Sequence, residues 1–197
     1  MKKIITILAL VNICSVIFYL VRWYTTRPVY THVTALTENE MQRETKFLTH
    51  GGISVNNARR LIVVKQQANK SQTISDSDMS FVCDVMRQSF IKDDLDSLYL
   101  RSQILHIWRS ASKMSQAQRS KVIELASEVF SRPDATFDLG SKKMVAADKI
   151  LTAKTIGKMN DKRGVTVLMP LLDHKDRVVI ATTKTALSNL GYKENAK

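Results

Sequence analysis

The segment TIGKMN at residues 155–160 is followed 31 residues later by a similar segment, ALSNLG, at residues 186–191. A period of about 20 to 50 residues is typical of stacked helical units, none of which can bury its apolar face alone. The match therefore predicts paired antiparallel helices in the C-terminal third of the chain. We expect five apolar side chains of this region to share one core: Leu168, Leu172, Ala186, Leu187 and Leu190.

The composition is compatible with such a helical protein. The chain has 197 residues, of which 44% are hydrophobic and 24% are charged, and it contains only 6 Gly and 3 Pro. These values exclude collagen-like and Pro-rich low-complexity chains and leave an ordinary globular composition rich in helix formers.

Apolar residues between positions 75 and 131 recur at the spacing of one helix face. A first helix, which Ser75 opens, carries them at i, i+3, i+4, i+7 and i+11. A second helix begins at the acidic residues 93–96, and a third begins at Ser115-x-x-Gln118 and ends before Pro133. Because the chain after the N-terminal segment shows no convincing alternating strand pair and no Asn-Gly hairpin signal, we expect it to be all-α. The apolar face of the first helix comprises Met79, Val82, Cys83, Met86 and Phe90.

Residues 37–74 form a helical lead-in segment before the main helical domain, which we place at 75–197. Thr37 and Glu40 have the spacing of a capping box, which predicts a short helix that stops at Gly51-Gly52. Residues 55–69 carry a loose helical stripe, and a strand at residues 61–64 is the alternative.

The residues from Ile156 to Asp173, IGKMNDKRGVTVLMPLLD, resemble the HEAT-repeat family, in particular its PBS-lyase-like repeats. Pro170-Leu171-Leu172 matches the proline before two leucines in that family. The resemblance extends over residues 144–191 and implies an α-solenoid of antiparallel helix pairs, in which Val178 to Leu190 form a second helix. The arginine that usually follows valine at the start of that helix is missing, because the corresponding positions are Val178-Val179 or Val179-Ile180. A generic helical bundle is the alternative.

The N-terminal residues 1–24 are predicted to form a transmembrane signal anchor. Lys2 and Lys3 precede 18 uncharged, mostly apolar residues, 4–21, which as a helix would measure about 27 Å, close to the hydrocarbon thickness of a bilayer. A cleaved signal peptide is the alternative, but the exit of the segment lacks a small-x-small site. The basic leader predicts a single-pass protein whose C-terminal domain is periplasmic, with the anchor in the inner membrane, if the host is bacterial. Residues 25–36 read as a polar linker.

The titratable residues show no catalytic or metal-binding constellation. The four histidines are scattered, and His50-Gly51-Gly52 is read as a helix terminus because no Gly-x-Ser-x-Gly elbow accompanies it. The acidic cluster at residues 93–96 lacks the pattern of a calcium loop. Cys14 and Cys83 cannot form a disulfide framework or a Cys-x-x-Cys pair. We therefore expect no catalytic residue, no metal and no cofactor.

The net charge of +12 is concentrated at the C-terminal end. Residues 140–197 carry twelve basic and five acidic side chains, too few acids to pair the bases internally. This excess predicts an electropositive surface for an anionic partner, with a solvated helix face as the alternative. The expected patch comprises Lys142, Lys149, Lys158, Lys162 and Arg163.

These features together favour a non-catalytic, membrane-anchored scaffold that binds a protein partner or an anionic surface at the membrane. Extended faces of helical solenoids suit protein recognition, and an anchor raises the local concentration of a membrane-bound partner. The alternatives are a nucleic-acid-binding basic helical domain, which lacks the aromatic residues that stack on bases, and an accessory subunit of an enzyme.

Overall fold

The computed structural model describes residues 36–138 and 143–192. The predicted anchor at 1–24 and nearly all of the linker at 25–36 lie outside these residues. Within the described residues no helix is both long enough and apolar enough to cross a membrane. The described part is mostly helical, and the expectation of an all-α class is confirmed at this level.

Eight α-helices follow one another along the described residues, and four of them begin at the polar residues that the sequence indicated. Thr37 and Ser115 each complete a capping box, while Ser75 and Asp94 accept from backbone amides in the first turns of their helices. The helices are α1 (Glu38–His50), α2 (Val55–Ser71), α3 (Asp76–Gln88), α4 (Leu95–Ser110), α5 (Gln116–Ser131), α6 (Ala147–Lys158), α7 (Gly164–Leu168) and α8 (Arg177–Asn189).

From α2 onward, the even-numbered helices pack in one row and the odd-numbered helices pack in a second row. Helix α2 packs on α4, α4 packs on α6, and α6 packs on α8, while α3 packs on α5 and α5 packs on α7. Helix α1 contacts both α2 and α4. One continuous apolar core runs between these helices from Leu48 to Leu190 and includes Trp108, which is 1% exposed. The strand considered at residues 61–64 is helix, because Leu61, Ile62 and Val64 all point into this core.

A short antiparallel hairpin interrupts the helices, and the expectation of helices only was wrong here. Strands β1 (Thr136–Asp138) and β2 (Lys143–Val145) pair with Phe137 opposite Met144. Three-residue strands are too short to show a period of two in the sequence. Phe137 is fully buried in a small second core with Leu98, Ala135 and Ala147, so the hairpin covers the beginning of α6.

The two segments of the 31-residue match have the same local structure. Asn160 and Gly191, which the match aligns, follow α6 and α8 and both have positive φ, +52° and +78°. The aligned Ile156 and Leu187 are both buried. Of the five residues expected in the core, only Leu172 is half-buried, because the chain from Met169 to Asp173 is a 3-10 helix that turns Leu171 inward instead.

Helices α6 and α8 touch at Gly157. A Cβ atom at this position would lie 2.6 Å from the Cα atom of Ala186 and 2.7 Å from its Cβ atom. These distances are shorter than real contacts, so glycine is required for the approach of the two helices.

Candidate basic interface

The turns that join one helix pair to the next lie side by side along one edge of the helix array. The backbone amide of Lys113, after α4, donates to the carbonyl oxygen of Gln72, after α2, at 2.9 Å. The hydroxyl of Ser112 also donates to the side-chain oxygen of Gln72, at 3.2 Å. The first two turns are therefore held together by hydrogen bonds.

Arg163 attaches the third turn, which follows α6, to the first turns of α5. Its guanidinium donates to the hydroxyl of Ser120 at 2.6 Å and to the carbonyl oxygen of Gln116 at 3.3 Å. It also pairs with Asp161 at 2.6 Å, and this hydrogen bond holds the pKa of the Asp161 carboxyl below its usual range. Arg119 reaches back to the carbonyl oxygen of Ser112, so all three turns form one connected surface.

We call this surface, residues 70–76, 109–119 and 158–163, the basic edge. It carries seven cationic and only two acidic side chains, and both acids are engaged: Asp161 with Arg163, and Asp76 with the Gln118 amide at 2.7 Å. Among the described residues, the ammonium groups of Lys158 and Lys162 form no ion pair, and both side chains are exposed. The seven cationic residues are Lys70, Arg109, Lys113, Arg119, Lys158, Lys162 and Arg163.

The expected patch is therefore divided by the fold. Lys158, Lys162 and Arg163 lie together on the basic edge, and Lys142 lies outside the described residues. Lys149 is at the other end of α6, about 14 Å away along the helix axis. It is only 5% exposed, and its ammonium group pairs with Asp134 at 3.0 Å. Its assignment to an exposed patch is thus corrected, because the hairpin before α6 buries this end of the helix.

Four bases of the basic edge were missed by sequence reasoning: Lys70, Arg109, Lys113 and Arg119. They belong to the two earlier turns and to the helix ends beside them. Arg109, Lys113 and Arg119 lie in residues 76–139, which carry eight basic and ten acidic side chains, and Lys70 is the only base of its turn. A signal was present, since Lys70, Arg109 and Lys158 each stand in the last turn of a helix of the α2–α4–α6 row. Only an alignment of the turns with one another would have revealed it.

The opposite edge, where the two helices of each pair are joined, holds a network of buried ion pairs. Arg101 is 0% exposed and donates to the carbonyl oxygens of Ser89 and Lys92, both at 2.7 Å. It also pairs with Asp93 at 2.8 Å and with the buried Asp148 at 3.2 Å. Burial raises the pKa of Asp148, and the charge of Arg101 offsets part of this effect.

A second cluster on this opposite edge surrounds the carboxylate of Asp134. It accepts from Lys149 at 3.0 Å, from His174 at 2.9 Å and from Lys175 at 3.1 Å. Burial alone would raise the pKa of Asp134, but these three donors hold it well below the usual range for an aspartate. We call the residues of both clusters the ion-paired edge: Asp93, Arg101, Asp134, Asp148, Lys149, His174 and Lys175.

Two other reactive side chains, His106 and Cys83, are largely enclosed by the fold. Burial, together with the charges of Lys65 and Arg109, lowers the pKa of His106 to about 4, so this residue is neutral at pH 7. Burial raises the pKa of the Cys83 thiol to about 11, which makes it a poor nucleophile. The described residues contain no group of three His, Cys, Asp or Glu side chains with the geometry of a metal site.

Comparison of the chain with known proteins gives no match to a protein family, to a curated protein or to a solved structure.

Proposed function

We propose that this protein is a non-catalytic, membrane-anchored scaffold of HEAT-like helix pairs, whose basic edge binds a negatively charged partner at the membrane. The anchor is the uncharged segment 4–21, and a single apolar helix of this length suffices to retain a protein in a bilayer. The single observation that carries the binding function is that the ammonium groups of Lys158 and Lys162 are exposed and form no ion pair with any described residue.

The HEAT-like architecture is supported by the order of packing. Each even-numbered helix from α2 to α6 packs on the next even-numbered helix, which is how stacked helix pairs bury their shared face. The equivalence of Asn160 with Gly191 and of Ile156 with Leu187 supports a repeated unit at the C-terminal end. The hairpin 136–145 is an insertion relative to a regular series of pairs.

A role in binding is favoured over a role in stability because Lys158 and Lys162 form no ion pair within the described residues. An exposed Lys–carboxylate pair contributes at most about 1 kcal/mol, and Lys158 and Lys162 do not form even such a pair within the described residues. Solubility alone does not require seven bases along one edge, whereas attraction of an anionic partner does.

Two measurements on the full chain test this function. Extraction of membranes at alkaline pH should leave the wild-type protein in the bilayer fraction, and release into the supernatant would contradict the anchor. The detergent-solubilised protein should then be retained on a polyglutamate resin and elute as salt exceeds about 0.15 M.

A matched pair of variants makes the second measurement specific. The variant Lys113→Glu/Lys158→Glu/Lys162→Glu changes three exposed residues of the basic edge. The variant Lys46→Glu/Arg59→Glu/Lys92→Glu changes the net charge equally at exposed positions elsewhere. We expect the first to elute at clearly lower salt than the second. Equal elution of both would mean that the basic edge is only a solvated face.

A further inference from the structure

The described chain begins next to the basic edge. Helices α1 and α2 are joined by the short turn 51–54 and run antiparallel, with Glu44 paired to Lys65 at 2.7 Å. Thr37 lies seven residues before Glu44, and Gln72 lies seven residues after Lys65. Each of these spans measures about 10 Å along its helix. Thr37 is therefore level with Gln72, which lies in the first turn of the basic edge. The first described residues of the helical body therefore lie on the side that carries the seven cations.

The residues of the basic edge, all of them described, include no large apolar side chain that is exposed and could anchor a protein. Its three large apolar side chains, Ile74, Met114 and Met159, are all buried in the core. The most exposed large apolar residues of the described chain, such as Ile91 and Val178, lie at other places. Since protein interfaces have an apolar centre, often with aromatic residues, this edge is poorly suited to a protein partner.

Nucleic acid fits the edge no better. Residues 70–76, 109–119 and 158–163 contain no Phe, Tyr or Trp on which a base could stack. The cations are also spread over three successive turns instead of converging on one pocket. A broad array of separate cations, without apolar or aromatic contacts, matches a surface that presents many small anionic groups.

We infer that the basic edge binds the anionic headgroups of phospholipids in the leaflet next to the anchor, so that the helical body lies against the membrane surface. This inference rests on the proposed anchor, which would bring the leaflet close to the helical body. It also rests on the position of Thr37, which indicates the edge that faces the leaflet. Binding is electrostatic and therefore depends on the fraction of anionic lipid and on salt.

Hydrogen exchange of the full chain in lipid nanodiscs tests this inference. Nanodiscs of phosphatidylcholine alone are compared with nanodiscs that contain phosphatidylglycerol as well. We expect the anionic lipid to slow exchange about threefold or more in the turns 71–75, 111–115 and 159–163. The turns 92–94 and 174–176 on the opposite side should not change. Protection should disappear in high salt and in Lys113→Glu/Lys158→Glu/Lys162→Glu, and should persist in the charge-matched variant Lys46→Glu/Arg59→Glu/Lys92→Glu.

The outcomes separate this inference from the proposed function. A protein that resists alkaline extraction but shows no lipid-dependent protection has the anchor and lacks the lipid contact, which would overturn the inference. A protein released by alkaline extraction lacks the anchor, and the same exchange experiment with added vesicles still decides the lipid contact. Equal protection in neutral and anionic bilayers, or protection that requires an added acidic protein instead of lipid, would also overturn it.

Discussion

Both edges of the helix array carry lysine and arginine side chains, but these side chains have different surroundings at the two edges. At the ion-paired edge, Arg101 and Lys149 are buried and their charges are matched by Asp148 and Asp134. At the basic edge, Lys158 and Lys162 are exposed and form no ion pair within the described residues. The number of bases in a segment therefore does not indicate their role. Their role depends on the edge that carries them and on whether they are buried there.

The pairing of charges follows from burial. A charge that leaves water loses several kcal/mol of hydration, so it persists inside a protein only with opposite charges and hydrogen bonds around it. The hairpin 136–145 covers the start of α6 and imposes this requirement there. On the basic edge, Lys113, Lys158 and Lys162 are exposed within the described part of the chain, so water solvates them.

The largest expected effect is at Arg101. We predict that Arg101→Met lowers the free energy of unfolding by about 3 to 5 kcal/mol, because the carboxylate of Asp148 would stay buried without its partner. Urea denaturation of the solubilised chain measures this. The matched change Lys113→Met, at an exposed position of the basic edge, should alter stability by no more than about 0.5 kcal/mol. A loss below about 1 kcal/mol for Arg101→Met would remove the distinction between the edges.

The second effect concerns Asp134 and pH. Asp134→Asn should lower stability at pH 7 by about 1.5 to 3 kcal/mol, because the carboxylate accepts three charge-assisted hydrogen bonds. The folded-state pKa lies below the unfolded value of about 3.9. The contribution is therefore complete above that value and is lost as pH falls toward the folded pKa. Denaturation curves of wild type and variant should converge in acid, and a constant difference down to the lowest pH would contradict this.

A third effect concerns α6, the helix that connects the two edges. Gly157→Ala should cost about 1 to 2 kcal/mol, since the clash of the new methyl group with Ala186 exceeds the gain in helix propensity. Ser188→Ala, at the aligned exposed position of α8, should change stability by about 0.5 kcal/mol or less. Thermal unfolding compares the two variants. Equal effects would mean that α6 and α8 do not approach each other as described.

Much of the helical fold could be predicted because its signals are local. Ser75, Asp94 and Ser115 cap their helices through the backbone amide three positions later, and the apolar stripes repeat within each helix. The hairpin could not be predicted, because Phe137 is held in part by Leu98 of α4, which lies far away in sequence. The hairpin therefore depends on tertiary burial and not on the local structural preference of its residues.

The candidate site was predicted only in part for the same reason. Lys158, Lys162 and Arg163 are adjacent in sequence, so local charge density revealed them. Lys113 and Arg119 join them through hydrogen bonds between turns about 40 residues apart, which charge density cannot show. Lys149 was misplaced because charge counting does not reveal burial.

The difference in stability between two lysine variants of α6 tests the division between the edges most directly. Both Lys149→Met and Lys158→Met remove one charge from the same helix and replace it by a flexible apolar side chain. Urea denaturation of the full chain should show a loss of about 1 kcal/mol for Lys149→Met, because Asp134 loses one of its three donors. Lys158→Met should remain within about 0.5 kcal/mol of wild type. Equal losses for the two variants, or a larger loss for Lys158→Met, would contradict the assignment of one edge to stability and the other to binding.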